Sequence, residues 1–152
     1  MGPARLIFVS PVPDWRIRSA IEEDIQSVLR LWTTAGGPAS VSDTPEGISR
    51  LLAANQGALL LVESGGEVIG SLIAAWDGWR GSFYRLAVHP DRRRRGVATA
   101  LLREGERRLR ERGAVRLTAV VAEEDPAAMG FWRAAGYRHQ RRRARFVRLT
   151  GD

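Results

Sequence analysis

A run of four arginines ending in glycine, Arg92-Arg93-Arg94-Arg95-Gly96, stands between two apolar segments, and it is the part of this chain best suited to chemistry. The apolar run at 83–88 before it is long enough for one buried strand, and Pro90 ends that strand because it has no amide to donate. After the run, Val97, Ala98, Leu101, Leu102 and Leu109 recur at helical spacing. A strand, a basic glycine-containing turn and a helix together offer free amides and the positive end of a helix dipole to an anion. The arginine side chains add mobile charge, which suits two or more phosphates better than one carboxylate. Neither G-x-x-x-x-G-K-[ST] nor a strand-terminal G-x-G-x-x-G occurs, so the usual nucleotide motifs are excluded. A solvated strand-to-helix turn is the plainer alternative.

The elements that must position this turn can be followed along the chain. Residues 1–14 read as a loose lead-in, too short in apolar length for a signal-peptide core. Residues 15–20 alternate as a first strand. Glu22 and Glu23 open a helix whose Ile25, Val28, Leu29 and Trp32 form one face, and 35–38 (A-G-G-P) ends it. Thr44 followed by Pro45 is a cap with a first-turn proline, starting a second helix with Ile48, Leu51 and Leu52 inward. Residues 58–63 and 67–76 read as strands joined by a tight Ser64-Gly65-Gly66 turn, with Gly70 as a candidate bulge. Asp77-Gly78 turns the chain into the strand that precedes the arginine run.

Beyond the long helix, Arg112-Gly113 is a stop, and 114–121 reads as a strand reached by a crossover, hence parallel to the central one. Asp125-Pro126 is again a cap with a first-turn proline, before the stripe Ala128, Phe131, Trp132 and Ala135. Residues 138–149 read as a hairpin arm or two short strands. The sum is an α/β mixed sheet in one domain spanning 1–152.

Composition narrows the function classes. The chain has 152 residues, 44% hydrophobic and 27% charged, in the range of an ordinary globular protein. With no cysteine, thiolate chemistry, disulfides and cysteine metal sites are excluded, and two lone histidines argue against any metal. Every one of the 24 basic residues is arginine, so a lysine Schiff base is impossible. The net charge of +7 invites an anionic partner, either a phosphate-bearing cofactor or nucleic acid. No apolar run approaches the ~20 residues that cross a bilayer, so a cytoplasmic protein is expected.

The string V-H-P-D-R-R-R-R-G-V-A-T-A-L-L contains Arg93-Arg94-Arg95-Gly96-Val97-Ala98, which fits [QR]-x-x-G-x-[GA] and resembles the acyl-coenzyme-A loop of the GNAT superfamily of N-acetyltransferases. The later E-D-P-A-A-M-G-F-W-R-A-A-G-Y is similar to a second motif of that family. The resemblance implies an α/β (α+β) fold, with a mixed, mostly antiparallel sheet of about six to seven strands, about four flanking helices and splayed central strands. It implies acetyl-coenzyme A as co-substrate, without a metal, and a primary amine on a small molecule or on a protein as acceptor. Main-chain groups of Leu86, Ala87 and Val88 would pair with the pantetheine arm, one amide holding the thioester oxygen. The amides of Arg93, Arg94, Arg95, Gly96, Val97 and Ala98 would hold the diphosphate, with the Thr99 hydroxyl beside them. Asp125 stands where relatives place a cofactor-touching Asn, although a plain helix cap is the better account of it. The segment between the first two helices would shape the acceptor pocket.

The same resemblance leaves catalysis open. The position of the usual tyrosine acid is Trp132, and the two usual glutamate positions are Ser82 and Val120, none of which transfers a proton. The side chains left as candidates are Tyr84, Asp77 and Glu123. Alternation would place Tyr84 on one face with Leu86 and Val88 unless a bulge breaks the parity, and there it could equally be a core residue. Asp77 reads also as a turn residue, and Glu123 as a solvated charge. Trp76, Trp79 and Tyr84 would gather where the acceptor enters. The rivals to an N-acyltransferase are a non-catalytic acyl-coenzyme-A sensor of the same fold and an arginine-rich nucleic-acid binder. The last lacks interleaved aromatics. A homodimer is the default expectation for assembly.

Overall fold

The computed structural model describes residue 2 and residues 12–151, so most of the expected lead-in lies outside the described residues. The chain divides into two compact units, Met1–Ala119 and Val120–Asp152.

The first unit is built on a sheet of five strands, β1 (Arg16–Ser19), β2 (Leu59–Ser64), β3 (Glu67–Trp76), β4 (Gly81–Val88) and β5 (Leu117–Ala119), in that spatial order. The first three pairings are antiparallel and β4–β5 is parallel, as the crossover requires. Between them lie α1 (Ile25–Ala35), α2 (Pro45–Ala54) and α3 (Val97–Arg112). Glu22–Asp24 forms a single 3-10 turn ahead of α1. Arg18 grips Asp24 through both carboxylate oxygens, at 2.7 and 2.8 Å, which ties this turn to β1. Thr44 Oγ1 accepts the Gly47 amide at 3.0 Å and starts α2. Gly113, at φ 106, ends α3, and the Ala114 amide returns to Leu109 O at 3.0 Å.

Strand alternation sends residues to two faces. Leu59, Leu61 and Ile73 pack with Ile25, Val28, Leu31 and Trp32 of α1 and with Ile48 of α2. Leu72 and Phe83 face α3, where Gly105 lets the helix sit close: a Cβ there would lie 3.0 Å from Phe83 and 3.1 Å from Leu72. Gly70 serves the same purpose and is not itself the bulge; an added Cβ would stand 2.9 Å from Val97. The register slip between β2 and β3 places the extra residue one position earlier, at Ile69.

The charges of α3 neutralise one another, including that of the buried Glu106. Glu104 bonds Arg107 and Arg108, Glu111 bonds Arg107, and Glu106 bonds Arg103 and Arg110. Arg107 above all, with Arg108, holds the Glu104 carboxyl down to about 2. A depressed carboxylate stabilises the fold above its unfolded value and loses that contribution as pH falls toward the folded one. Glu104→Gln should therefore flatten the loss of stability between about pH 4.5 and about pH 2, read as urea midpoints along that range. An unchanged slope would show that the pairing does not outlast solvent screening.

Among its described residues the second unit holds one helix, α4 (Pro126–Ala134), capped by Asp125 Oδ1, which accepts the Ala128 amide at 3.0 Å. Gly136, at φ 95, follows its end. Two expectations need correction here. The strand expected at 114–121 pairs only over Leu117–Ala119, and 138–149 forms no strand among the described residues, so the sheet has five strands instead of six or seven. The alternation at 138–149 is carried by arginines with few apolar partners, and Phe146 is 94% exposed. Alternation without a buried face does not hold a strand in register. Among the described residues no helix is long and apolar enough to cross a membrane.

Candidate functional site

The arginine run leaves β4 through a short 3-10 turn, Pro90–Arg92, and reverses direction with two residues in the left-handed region, Arg94 at φ 63 and Gly96 at φ 77. Left-handed backbone costs a residue with a Cβ about 1–2 kcal/mol, so such a turn is held by its surroundings and is a mark of functional backbone. Gly96 is the cap position of the 16-residue α3. Among the described residues no acceptor takes the amides of Arg93, Arg94, Arg95, Gly96, Val97, Ala98 or Thr99. A Cβ built on Gly96 would meet nothing within 4 Å, so the space in front of it is open. These are a row of unsatisfied donors at the positive end of a long helix, which is the physical requirement for an anion seat.

The side chains of the run divide. Arg93 reaches back to the end of α1, where Nη2 donates to Ala35 O at 2.9 Å, and its Nε donates to Val88 O at 3.3 Å. Its contribution to an anion is therefore its amide. Arg94 and Arg95 are exposed and without hydrogen-bond partners among the described residues, so they are the mobile cations of the turn.

Beside this turn, among the described residues, no strand pairs with the far half of β4 on its β5 side. The β4–β5 pairing covers Gly81, Ser82 and Phe83 and then stops, while β4 runs on to Val88. Within that free stretch β4 bulges: Ser71 pairs with Ala87 but Ile73 pairs with Tyr84, so β4 carries one residue more than β3. Arg85 sits in the bulge at φ 53. Its carbonyl accepts the Ser71 hydroxyl at 2.8 Å, and that hydroxyl accepts the Trp32 indole N–H at 2.9 Å. The His89 amide donates to Ile69 O at 2.8 Å, and the register is unbroken from there to Ser71–Ala87. The main chain of Ala87 thus faces β3 and that of Val88 faces the open edge. Of Leu86, Ala87 and Val88, it is Ala87 whose main chain is turned away from that edge.

The bulge also corrects the expected parity. Tyr84 does not share a face with Val88; it shares one with Ala87, on the side of α1 and α2, because of the extra residue between them. Nor is Tyr84 a core residue, being 48% exposed. Asp77 is occupied by its own turn: Oδ1 accepts the amides of Arg80 at 2.6 Å and Trp79 at 2.8 Å, which keep the carboxyl below its ordinary range. The exposed Trp79 ring carries the Arg80 guanidinium 3.9 Å from its centre. In the second unit, His139 Nε2 donates to Glu123 Oε1 at 2.9 Å, and Trp132 packs edge-on against Phe131 and Tyr137. The Asp125 carboxylate caps α4. Among the described residues no three acidic or histidine side chains gather as a metal site.

Ser71, Arg85 and Asp43 belong to no motif of the sequence, and Trp32 reads there only as part of the apolar face of α1. The available signal was a serine and an arginine interrupting otherwise apolar strands, V-I-G-S-L-I-A-A and F-Y-R-L-A-V.

An acetyltransferase (GNAT) family model matches residues 22–137, most of the chain, and the chain belongs to that family. Solved structures share its fold. The aminoglycoside 6'-N-acetyltransferase AAC(6')-IG of Acinetobacter haemolyticus is 22% identical, with a TM-score of 0.71 and coverage of 88% of this chain and 98% of that one. A GNAT family acetyltransferase from Brucella melitensis, solved with acetyl-CoA, is 24% identical at a TM-score of 0.63, covering 82% and 83%. The PaiA N-acetyltransferase of Thermoplasma acidophilum, solved with coenzyme A, is 16% identical at 0.73, covering 83% and 91%.

Proposed function

We propose that this chain transfers an acetyl group from acetyl-coenzyme A to a primary amine by direct attack, with no covalent enzyme intermediate. The observation that carries the reading is the row of unsatisfied amides at 93–99, in a left-handed turn that opens α3 and adjoins the free edge of β4. That row suits a diphosphate, and the outward main chain of Val88 suits an amide-bearing arm lying along the edge as an added strand. The co-substrate supplies an activated thioester carbonyl.

In this reading the residues of the chain have distinct tasks. The amides of Arg93, Arg94, Arg95, Gly96, Val97 and Ala98 seat the diphosphate, with the Thr99 hydroxyl beside them. Leu86 and Val88 align the arm, and an amide at the bulge stabilises the oxygen as the carbon–nitrogen bond forms and the carbon–sulfur bond breaks. A thiol of pKa about 8.5 departs tolerably as thiolate, so orientation carries most of the rate. Tyr84, exposed on the sheet face opposite α3, is the side chain best placed among the three candidates to take part in proton transfer. Asp77, bonded to its own turn, and Glu123, bonded to His139, are the weaker candidates.

A second reading is favoured by those same engagements: with Trp132 in place of a tyrosine and two carboxylates already bonded, the fold would bind acetyl-coenzyme A as a sensor without turnover. One experiment separates the two. Acetyl-coenzyme A at about 100 times its dissociation constant should stabilise the protein by about 2.7 kcal/mol, a rise of roughly 5–10 °C in Tm. Release of free thiol is then followed with an aminoglycoside, a linear diamine and a peptide with a free N-terminus. Stabilisation with thiol release on any of them supports the transferase, and stabilisation with none supports the sensor. No stabilisation removes both readings.

A further inference from the structure

We propose that Arg85 is a positioning residue for the acceptor: through Asp43 it fastens residues 36–44, the link between α1 and α2, against the β4 bulge. The proposal rests on the transferase reading for what arrives at the bulge, and on geometry alone for the fastening.

Residues 36–44 contain no helix or strand. They begin with Gly36 and Gly37, at φ 85 and 96, around which a Cβ would meet nothing within 4 Å, so packing does little to place them. Both ends are nevertheless held, each by an arginine from the β4 side. Arg93 Nη2 donates to Ala35 O just before the link. At the far end Arg85 meets Asp43 fork to fork, Nε donating to Oδ1 at 3.0 Å and Nη2 to Oδ2. Asp43 in turn closes the link on itself: its Oδ2 accepts the Ser40 amide at 2.8 Å, and its own amide donates to Ser40 O at 2.9 Å.

In four of the five ion pairs along α3 the arginine is more than half exposed, and only Arg108–Glu104 is shielded to a similar degree as this pair. The Arg85 and Asp43 side chains are only 23% and 14% exposed, and the guanidinium lies 5.1 Å from the centre of the Trp32 ring. An exposed pair seldom fixes geometry, whereas a shielded, bidentate and stacked arginine does. Arg85 is also anchored at its own main chain by the Ser71 hydroxyl. One residue therefore sets the bulge with its backbone and the 36–44 link with its side chain.

Among the described residues of the first unit, one face of the sheet beside the bulge is closed. On the α3 side of the sheet the space beside the bulge is filled, with Val97 and Leu101 closing on Gly70 opposite Val88, and Leu72 and Phe83 on Gly105. An amine approaching across a face of the sheet therefore comes from the other one, where Arg85 and the link it holds form a boundary. Losing the fork should loosen that boundary and leave the amides at 93–99 as they are, so acceptor recognition and cofactor binding should respond differently.

Three proteins test this: the wild type, Arg85→Met, and the exchange Asp43→Arg with Arg85→Asp, which restores a pair and puts at position 85 a residue tolerant of left-handed backbone. In Arg85→Met, amide hydrogen exchange at Ser40 and Asp43 should quicken about tenfold, with the acetyl-coenzyme A dissociation constant within about threefold of wild type. The exchanged pair should recover most of the protection. With whichever of the aminoglycoside, diamine and peptide is acetylated, Arg85→Met should raise the acceptor KM about tenfold and change kcat by no more than about twofold. Unchanged exchange at Ser40 and Asp43 overturns the proposal, as does a parallel loss of acetyl-coenzyme A affinity or no recovery in the exchanged pair. Exchange and calorimetry need no turnover. If no amine is acetylated, the transferase reading falls while those two measurements still decide the fastening.

Discussion

Gly96→Asp is expected to raise the dissociation constant for coenzyme A about 100-fold, against less than about tenfold for Gly96→Asn. Both replacements must adopt the left-handed backbone that Gly96 holds at φ 77, and Asp and Asn are the residues that do so at least cost. Neither meets a steric obstacle, since the space at the Cβ is open. The two variants therefore share backbone strain and differ in a single charge. A carboxylate about 5 Å from a phosphate at an effective dielectric of about 20 repels it by roughly 3 kcal/mol, which is the source of the difference. Calorimetry at low and high salt checks it, because the gap between the variants should narrow as salt rises. Equal losses in the two variants would mean that no anion sits in front of this turn, and the functional reading would go with it.

Ser71→Ala should destabilise the protein by about 2–4 kcal/mol, a large cost for removing one oxygen. The hydroxyl is wholly buried and satisfies two groups at once, accepting from Trp32 and donating to the Arg85 carbonyl. Its removal leaves a buried indole N–H and a bulge carbonyl without partners. Trp32→Phe in the same chain should recover part of the loss, since it removes one of the two orphaned groups. Urea denaturation of the single and double variants measures this. Because the carbonyl in question belongs to the bulge, kcat/KM should also fall in Ser71→Ala under conditions where the variant remains folded. A variant with wild-type stability would show that water replaces the hydroxyl and that the bulge does not depend on it.

What could be read along the chain was mostly what local physics decides. Thr44 with Pro45, Asp125 with Pro126, and Gly113 each mark a helix end, and each does so in the structure through its own hydrogen bond. The Ser64-Gly65-Gly66 turn and the crossover to a parallel β5 follow from turn chemistry and handedness. The glycine at 96 was legible because a left-handed turn ahead of a long helix needs it. Strand count was less legible: alternation at 138–149 looked like pairing, but its outward arginines and exposed Phe146 provide no buried face.

By itself, then, the order of residues determined a family, a chain of elements and a donor-rich turn, since propensity, capping and short motifs act within a few residues of one another. The surroundings of the bulge come instead from contacts between distant parts of the chain. Ser71 is far from Trp32 and Asp43 from Arg85 along the chain; the packing of α1 on the sheet joins the first pair, and one extra residue in β4 places Arg85 for the second. The same slip moved Tyr84 to the opposite face from Val88. A single-residue shift inverts every side chain beyond it, and it depends on the partner strand, which no stretch of local sequence contains.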